Sequence, residues 1–320
     1  MNRANQAPWV SAIIPTRDRP ELVRRAVRSV LGQTCEQVEV MVVVDGPDPA
    51  TRAALEELGD PRVRIISLGK SVGGGEARNI GVAAAAGQWI ALLDDDDEWV
   101  PEMVSAQLIL AEQELDDRVV IVSNFIACSE KEDLLKPVRP PRTGEPFSEY
   151  LFTPHCGYQT STFFCSRRLF LEVPFTRGLK GCQDLDWFLR IMAHPRVRLR
   201  IAQEPLTIYH VPESRASVSR GFSWQFRLGW GRSQRHLMTA RGYSLFVVSL
   251  CATKAALEPF SLRAFLVLLR ECLFAGRPNV RTVAHLLALL LLPGKVQHAV
   301  RDLLAAPLGR PVTASSRSTS

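Results

Sequence analysis

The stretch Trp89-Ile90-Ala91-Leu92-Leu93-Asp94-Asp95-Asp96-Asp97 decides how the rest of this chain is interpreted. Its apolar half predicts a buried strand, and its acidic half places four carboxylates where that strand ends. Adjacent like charges repel each other, so a fold tolerates them best when a cation lies nearby. A divalent metal that carries a phosphate group is one candidate, because magnesium sites combine one or two carboxylates with substrate phosphates. A solvated acidic turn before the next helix is an equal alternative for these residues taken alone.

Strand and helix patterns alternate before this stretch. Apolar runs predict strands at residues 9–14, 38–44, 63–68 and 89–93, and helical spacing predicts helices at 20–31, 51–58 and 76–86. The alternation predicts an α/β fold, with a mostly parallel sheet and helices on both faces. Ligands of such sheets bind beyond the carboxyl ends of the strands. We therefore expect one edge of the sheet to bring together Thr16, Arg17, Asp18, Asp45, the glycine-rich segment 73–75 and the four aspartates.

The rest of the chain predicts a continuation of the core and then a change of composition. Beyond Pro101 we expect a helix to about residue 115, a strand at 119–125, a loop at 131–146, strands at 160–165 and 197–201, and a helix at 181–192. Leu-rich helical segments follow residue 244. These patterns predict a core domain of residues 1–221, a helical extension of residues 222–312 and a disordered Ser/Thr-rich tail of residues 313–320.

Composition narrows the class of protein without selecting a partner. The 320 residues carry a net charge of +6, which suits anionic substrates, membrane surfaces or nucleic acid. The seven cysteines are odd in number and include no C-x-x-C pair, which argues against a disulfide framework or a structural zinc site and favours the cytoplasm. We find no signal peptide and no apolar stretch of the roughly 18 residues that a membrane-spanning helix needs.

An ordered set of motifs resembles a known family. The motifs are Ile13-Ile14-Pro15-Thr16-Arg17-Asp18-Arg19, then Val43-Val44-Asp45-Gly46, then Gly73-x-x-x-Ala77-Arg78-Asn79-x-Gly81, then Gly87-x-x-Ile90-x-x-Leu93-Asp94-Asp95-Asp96-Asp97-x-Trp99-x-Pro101. Together they resemble a family 2 glycosyltransferase with the GT-A fold, over about the first two-thirds of the chain. Ser71 departs from the asparagine that is usual there. The resemblance implies transfer of a sugar from a nucleotide-sugar donor, with inversion at the anomeric carbon and assistance from Mg or Mn.

The resemblance also implies roles for single residues. Asp94-Asp95-Asp96 matches the family's D-x-D motif, Asp45 matches the carboxylate that reads the nucleobase, and Arg78 matches an arginine that contacts the donor. The implied nucleotide-sugar-binding residues are Pro15, Thr16, Arg17, Asp45, Arg78, Asp94 and Asp95. The implied metal ligands are Asp96 and Asp94, with His210 as a weaker candidate. Three of these residues also have a structural alternative: Asp45 fits a turn, Arg78 fits a salt bridge to the aspartates, and a lone histidine such as His210 is more often structural. Asp97 is expected to cap the helix after Trp99.

A second site is predicted at Gly181-Cys182-Gln183-Asp184-Leu185-Asp186-Trp187. The family resembled commonly has Glu-Asp here, with the aspartate as catalytic base, and Gln183 replaces the glutamate. Inverting displacement requires a group that removes the acceptor hydroxyl's proton, and we assign that role to Asp184, with Asp186 as the alternative. The structural alternative is a helix start enriched in acid. Residues expected from their position to line the acceptor pocket are His155, Tyr158, Gln159, Thr160 and Ser161.

A basic segment follows the core. Residues 214–257 contain no acid, and their arginines are interleaved with Phe222, Trp224, Phe226 and Trp230. This composition suits the anionic headgroup layer of a membrane, although nucleic-acid binding or simple packing are alternatives. We favour peripheral membrane contact at the cytoplasmic face, because bacterial members of the family resembled often use lipid-linked acceptors. The spacing from Gln225 to Trp230 misses the Q-x-x-R-W motif of processive synthases, which favours single addition.

The sequence therefore predicts a metal-dependent inverting glycosyltransferase of cell-surface polysaccharide or glycolipid synthesis. UDP- and dTDP-sugars are the favoured donors, GDP-sugars are allowed, and the acceptor is a sugar or a lipid-linked molecule. We expect no nucleic-acid partner. The alternatives are a non-catalytic protein that binds sugar nucleotides, and a basic protein that binds nucleic acid or a membrane surface.

Overall fold

A computed structural model describes residues 9–153, 156–211 and 221–292. Its centre is one nine-stranded sheet in the order β3-β2-β1-β4-β8-β6-β9-β5, with β7 paired to β6. The strands are β1 Val10–Thr16, β2 Val38–Val44, β3 Val63–Ser67, β4 Trp89–Leu92, β5 Glu98–Trp99, β6 Val119–Cys128, β7 Asp133–Lys136, β8 Phe164–Ser166 and β9 Arg198–His210. The first four strands are mutually parallel. Strand β8 then runs antiparallel between β4 and β6, and β9 lies parallel to β6.

Helices cover both faces of the sheet, which confirms the predicted α/β class. They are α1 Pro20–Leu31, α2 Pro49–Glu56, α3 Gly74–Ala84, α4 Met103–Glu112, α5 Phe147–Leu151, α6 Arg167–Glu172, α7 Gln183–Ala193, α8 Trp224–Ser233, α9 Ala240–Phe246, α10 Thr253–Ala255, α11 Leu262–Arg270 and α12 Val280–Leu291. Two 3-10 turns lie at Thr160–Thr162 and Arg235–Leu237, and two π-helical segments at Val247–Ala252 and Glu271–Ala275. The predicted helix 20–31 and strand 38–44 match α1 and β2 residue for residue.

Three predicted boundaries beyond residue 130 were wrong, and each error has a local cause. The predicted loop 131–146 contains β7, which pairs with β6 and shows no clear apolar period. The predicted strand 160–165 begins only at residue 164, because residues 160–162 form a 3-10 turn. The predicted strand 197–201 extends to residue 210, because its pairing with β6 resumes after a register shift that interrupts the sequence pattern.

The sheet divides the core into two apolar layers. Along β1, Val10, Ala12 and Ile14 point to the layer covered by α1 and α4, and Ile13 points to the opposite layer. That opposite layer also contains side chains from α5, α7 and the helices after residue 222. The division into a core domain and an extension at residue 222 stays a prediction, although the two parts share this apolar layer.

The tryptophans of the basic segment are core residues, not headgroup anchors. Trp224 and Trp230 are only 6% and 5% exposed, and both belong to the apolar layer that contains Trp187. Our use of these rings as a membrane face was wrong, because both are buried and the Trp230 indole donates to Asp186 of α7. Within the described ranges, no helix has the length and apolarity needed to cross a bilayer. The tail predicted to be disordered, 313–320, lies outside the described residues.

Candidate active site

The four aspartates separate into an accessible pair and a buried pair. The side chains of Asp94 and Asp96 are 30% and 26% exposed, whereas Asp95 is 8% exposed and Asp97 is almost fully buried. They follow β4, at the carboxyl edge of the parallel strands. A ligand that approaches this edge therefore meets Asp94 and Asp96 first.

Asp95 is held from two sides by residues that follow β1. Its carboxylate accepts hydrogen bonds from the Thr16 hydroxyl at 2.8 Å and from the Arg19 guanidinium at 2.8 Å. Burial raises the pKa of Asp95 to about 6, although Arg19 opposes that shift. Arg19 also reaches Asp96 at 3.2 Å. This geometry gives Asp95 and Thr16 a positioning role, and their direct contact with a donor stays a prediction.

Asp97 does not cap the following helix, so that prediction was wrong. Helix α4 begins only at Met103, and Glu102 precedes it. Asp97 instead accepts a 2.5 Å hydrogen bond from the Ser161 hydroxyl and a 3.2 Å bond from the backbone N–H of His210. Burial raises the pKa of Asp97 well above its usual value, and the nearby Asp94 adds to the shift. Asp97 thus joins the aspartate turn to β9.

Ser161 also differs from its predicted role in an acceptor pocket. It is fully buried, and its hydroxyl contacts both Asp97 and the backbone N–H of Asp94. Its carbonyl oxygen accepts bonds from the Trp99 indole and the Thr207 hydroxyl. Ser161 is therefore a support behind the carboxylates. His155, which was predicted for the same pocket, lies outside the described residues.

Arg78 connects the accessible aspartates to helix α3. Its guanidinium pairs with Asp94 at 2.5 Å and lies 5.5 Å from the centre of the Phe175 ring. Only 11% of the Arg78 side chain is exposed, and its Nε has no hydrogen-bond partner among the described atoms. A buried donor without a partner is costly, so this nitrogen is suited to an added acceptor such as a phosphate oxygen.

Asp45 organises the loop before α3. Its carboxylate accepts bonds from the Ser71 hydroxyl at 2.8 Å, from Val72 N–H at 2.6 Å and from Gly73 N–H at 3.0 Å. Gly73 has φ 88°, a conformation that glycine adopts readily. Ser71, which departs from the family pattern, therefore helps to hold this loop through its hydrogen bond to Asp45. A nucleobase contact by Asp45 stays a prediction.

Pro15 and Arg17 occupy the same edge in different settings. Pro15 is the penultimate residue of β1 and is half-buried. Arg17 is 60% exposed and pairs with Asp18 at 3.3 Å. Contact of either residue with a donor stays a prediction.

Asp184 stands in the first turn of α7, next to Gln183. A Cβ on Gly74 would lie 3.3 Å from Arg78 Nη1 and 3.5 Å from Gln183 Oε1, so the start of α7 lies beside Arg78. Burial raises the pKa of Asp184, Arg78 lowers it and Asp94 raises it, so all three groups are close enough to interact. The neighbouring Gln183 packs against α3, because a Cβ on Gly75 would lie 3.4 Å from the Gln183 amide carbon. The structure thus brings the predicted base to the aspartate edge.

Asp186, the alternative base, is buried and fully engaged. Its carboxylate accepts bonds from the Thr176 hydroxyl at 2.6 Å, from Arg190 Nε at 2.9 Å and from the Trp230 indole at 3.1 Å. Only 1% of its side chain is exposed. Asp186 therefore anchors α7 to α8 and cannot reach an acceptor.

We expect Asp186→Asn to lower the free energy of unfolding by about 3 kcal/mol, because it leaves buried donors without a charged acceptor. Asp116→Asn is the matched control. Its side chain is 44% exposed and pairs with Arg198 at the surface, so we expect a loss of at most about 1 kcal/mol. Urea unfolding measures both values. Equal losses in the two variants would contradict an anchoring role.

The chemistry of the accessible pair fits a divalent cation. Asp94 and Asp96 offer carboxylate oxygens to solvent, and a magnesium-type site needs only one or two carboxylates besides substrate oxygens. In the part of the chain that the structure describes, no three His, Cys, Asp or Glu side chains form a metal cage by themselves. The imidazole of His210 pairs with Glu98 and not with the aspartates: its Nε2 lies 2.7 Å from Glu98 Oε1, and this bond lowers the pKa of Glu98. The geometry therefore favours Asp94 and Asp96 as metal ligands over His210.

Two arginines of the site were given no role from sequence. Arg19 pairs with both Asp95 and Asp96, and Arg25 donates to the backbone carbonyl of Asp96 and pairs with Glu98 at 3.2 Å. The sequence did contain a signal for Arg19, because four adjacent carboxylates need positive charges nearby and Arg19 lies in the first of the motifs that resemble the family. Arg25 had no such signal, because helical spacing alone does not show which residue it faces.

Comparisons with known proteins identify the family. Residues 11–175, which are 165 of the 320 residues, match the profile of the family described as Glycosyl transferase family 2. The chain is 25% identical over 277 residues to the amylovoran biosynthesis glycosyltransferase AmsB of Erwinia amylovora, covering 84% of this chain and 92% of that protein. It is 41% identical over 98 residues to the succinoglycan biosynthesis protein ExoO of Rhizobium meliloti, but this match covers only 31% of this chain and 28% of that protein.

Two solved structures share the fold. The structure of S. aureus TarS 1-349 in complex with UDP-GlcNAc has a TM-score of 0.64 at 15% identity, covering 87% of this chain and 84% of that one. The mannosyltransferase PcManGT from Pyrobaculum calidifontis, in complex with GDP-Man and Mn2+, has a TM-score of 0.52 at 17% identity, covering 94% of this chain and 81% of that one. At these identities the likeness concerns the fold alone.

Proposed function

This chain belongs to glycosyl transferase family 2 and is a glycosyltransferase, and from that premise we propose that it transfers a sugar from a nucleoside diphosphate sugar to an acceptor hydroxyl with inversion. The observation that carries the proposal is the convergence at one sheet edge. A carboxylate with a raised pKa in the first turn of α7 lies close enough to the Arg78–Asp94 pair to interact with it, and accessible Asp96 lies two residues beyond Asp94. A base and a diphosphate-binding edge are the two parts that this reaction needs.

Asp184 acts as the base in the proposed reaction. It accepts the proton of the acceptor hydroxyl while the acceptor oxygen forms a bond to the anomeric carbon of the donor sugar. The bond between that carbon and the diphosphate oxygen breaks on the opposite face, and the nucleoside diphosphate leaves with the electron pair. A raised pKa suits this role, because a more basic carboxylate is a better proton acceptor.

The leaving diphosphate is stabilised on the opposite side of the site. Arg78 contributes positive charge there and has an Nε that can donate to a phosphate oxygen. Asp94 and Asp96 would hold Mg or Mn, whose charge, when it is bound, stabilises the diphosphate as it leaves. Arg19 and Thr16 keep the aspartate turn in place through Asp95. The Mn2+ in the mannosyltransferase PcManGT supports a metal for this fold.

The relatives suggest what the reaction serves. AmsB and ExoO are named for biosynthesis of amylovoran and succinoglycan, which supports a role in cell-surface polysaccharide synthesis. TarS holds UDP-GlcNAc and PcManGT holds GDP-Man, so both nucleotide classes are candidates besides dTDP-sugars. The acceptor hydroxyl belongs to a sugar or to a lipid-linked sugar. Seven free thiols support a reducing compartment such as the cytoplasm.

Calorimetric titration with UDP-, dTDP- and GDP-sugars tests the proposal. We expect one nucleotide class to bind in the presence of Mn2+ and to lose roughly tenfold or more in affinity when EDTA is added, because the cation bridges protein carboxylates and substrate phosphates. An ADP-sugar serves as the control, because its nucleotide is not among the three classes in the panel. Failure of every nucleoside diphosphate sugar to bind would contradict the proposed function, and binding that EDTA leaves unchanged would contradict the metal.

A further inference from the structure

Apolar side chains that are exposed to solvent concentrate in one part of the chain. Of the twelve large apolar residues exposed in the described ranges, eight lie between residues 257 and 291: Leu257, Phe260, Leu262, Leu266, Leu273, Phe274, Val280 and Leu291. Scattered apolar residues are normal on a protein surface, but a cluster of this kind marks an interaction site. These residues take no part in the aspartate edge or in the support of α7.

The helix that begins at Leu262 carries the clearest part of this cluster. Leu262, Leu266, Arg270 and Leu273 follow one another at intervals of four, four and three residues, which places them along one side of the helix and its π-helical continuation. Leu266 is 54% exposed and Phe274, at the end of the same segment, is 83% exposed. The opposite side contains buried Ala264, Leu268 and Cys272. We call the exposed side, residues 262, 263, 266, 270, 273 and 274, the Leu–Arg face.

The charge of the Leu–Arg face is positive. Arg263 and Arg270 are exposed between the leucines, and Arg277 and Arg281 follow. Residues 253–292 hold five basic and two acidic residues. One of the acids, Glu271, is already bonded to Arg232 and to the Tyr243 hydroxyl, each at 2.6 Å, and lies off this face. The other, Glu258, is in the loop before the helix.

An apolar groove lies on the other side of α11, next to Ala264. It has a volume of about 510 Å3 and is lined by Phe260 and Phe265 together with the end of α12, residues 289–292. Its lining residues Phe260 and Leu291 are also exposed to solvent, so the exposed apolar surface extends beyond α11 to the loop before it and to the end of α12. Apolar side chains interleaved with arginines fit a lipid surface, since the arginines meet phosphate headgroups and the apolar groups enter the acyl boundary.

We propose that the Leu–Arg face docks the protein on an anionic lipid bilayer, with Leu266 and Phe274 inserted and Arg263 and Arg270 at the phosphates. The surface differs from the one predicted by sequence, because the tryptophans of α8 are buried and the leucines of α11 are exposed. A bilayer is favoured over a second copy of the chain by charge complementarity, since two such basic faces would repel each other. The inference needs no assumption about donor or acceptor.

Vesicle sedimentation with the full chain tests the docking face. We expect the wild-type protein to bind vesicles of phosphatidylglycerol and phosphatidylcholine at least about tenfold more tightly than vesicles of phosphatidylcholine alone, and to be released by high salt. Leu266→Glu/Phe274→Glu should lower the partition constant at least about tenfold, because two inserted groups become charged. The matched control is Ile109→Glu/Leu115→Glu, which adds the same charge at two exposed apolar sites on and after α4 and should bind as the wild type does.

Arg263→Gln/Arg270→Gln separates charge from apolar insertion. It should remove most of the preference for phosphatidylglycerol while leaving the circular dichroism spectrum and melting temperature unchanged, because both side chains are exposed. Equal binding of the wild type to both vesicle types would overturn the proposal, as would wild-type binding by Leu266→Glu/Phe274→Glu. A dimer in sedimentation velocity that this variant dissociates, without vesicle binding, would instead identify an interface between copies. No sugar nucleotide is present, so failure here leaves the transferase proposal untouched.

Discussion

Asp184→Asn should lower the rate of nucleoside diphosphate release at least about a hundredfold while donor affinity changes less than about threefold, because general bases contribute factors of that order to the reaction and not to binding. Asparagine has the same shape but cannot take up the acceptor's proton. Backbone N–H groups at the start of α7 favour its charged form, and asparagine can accept from the same groups, so the substitution should not unfold α7. The measurement uses the donor that binds in the calorimetric panel, with water or an acceptor mixture as the second substrate.

The pH dependence of the wild-type reaction rate is a second test of Asp184 as the base. The base works only when it is deprotonated, and burial raises its pKa above the ordinary value of 3.8. The rate should therefore fall as the pH drops through that raised pKa, at a higher pH than an exposed aspartate would give. Asp60→Asn is the control, since Asp60 precedes β3 at the opposite edge of the sheet and pairs with Arg62 at 2.9 Å. If Asp184→Asn kept the wild-type turnover and the same fall in rate at low pH, Asp184 would not be the base.

Asp96→Ala is expected to remove the metal-dependent part of donor binding, a loss of at least about a hundredfold in the presence of Mn2+, because removal even of residues that only support a metal ligand costs ten- to a hundredfold. Asp96 is the accessible carboxylate that lies beyond the Arg78–Asp94 pair. Its partner Arg19 keeps a 2.8 Å bond to Asp95, so the aspartate turn should survive the substitution. Titration of the donor with and without EDTA measures the effect.

The control for Asp96 removes another carboxylate from the same edge. Asp18 follows β1, is 70% exposed and pairs with Arg17 at 3.3 Å. Asparagine accepts its positive φ of 54°, so Asp18→Asn changes charge without strain. We expect Asp18→Asn to keep the response to EDTA. Retention of that response by Asp96→Ala would show that the cation sits elsewhere or is not required.

The parallel half of the sheet was predictable because its signals are local. Residues 89–93 are a continuous apolar run, residues 38–44 are apolar apart from Glu39, and Pro, Gly and Asp residues mark where these strands end. Such runs occur only where both faces of a strand are covered, and this predicts parallel strands between helices. The second half was less predictable, because β7 and the end of β9 obtain their pairing from β6 rather than from their own pattern.

The site was predictable as a location but not as a set of contacts. Parallel strands carry Thr16, Asp45 and Asp94 to one edge whatever the side chains do there. Which group each one meets depends on residues far along the chain: Thr16 meets Asp95 across 79 positions, and His210 meets Asp97 across 113. The burial of Asp95 and Asp97 follows from those contacts, so four identical neighbours in the sequence differ in exposure and pKa.

The sequence by itself determined the α/β class and the sheet edge that holds the carboxylates, because periodicity and motif order are properties of the chain alone. Asp184 as the base stays a prediction that rests on the family resemblance. Only the tertiary structure decided that Asp94 and Asp96 face solvent while Asp95 and Asp97 support them, that Asp186 is an anchor, and that α11 rather than α8 exposes an apolar face. The physical reason is that exposure and hydrogen bonding are set by which elements pack against each other. Helical spacing defines the sides of α8 and α11, but only packing selects the side that is covered.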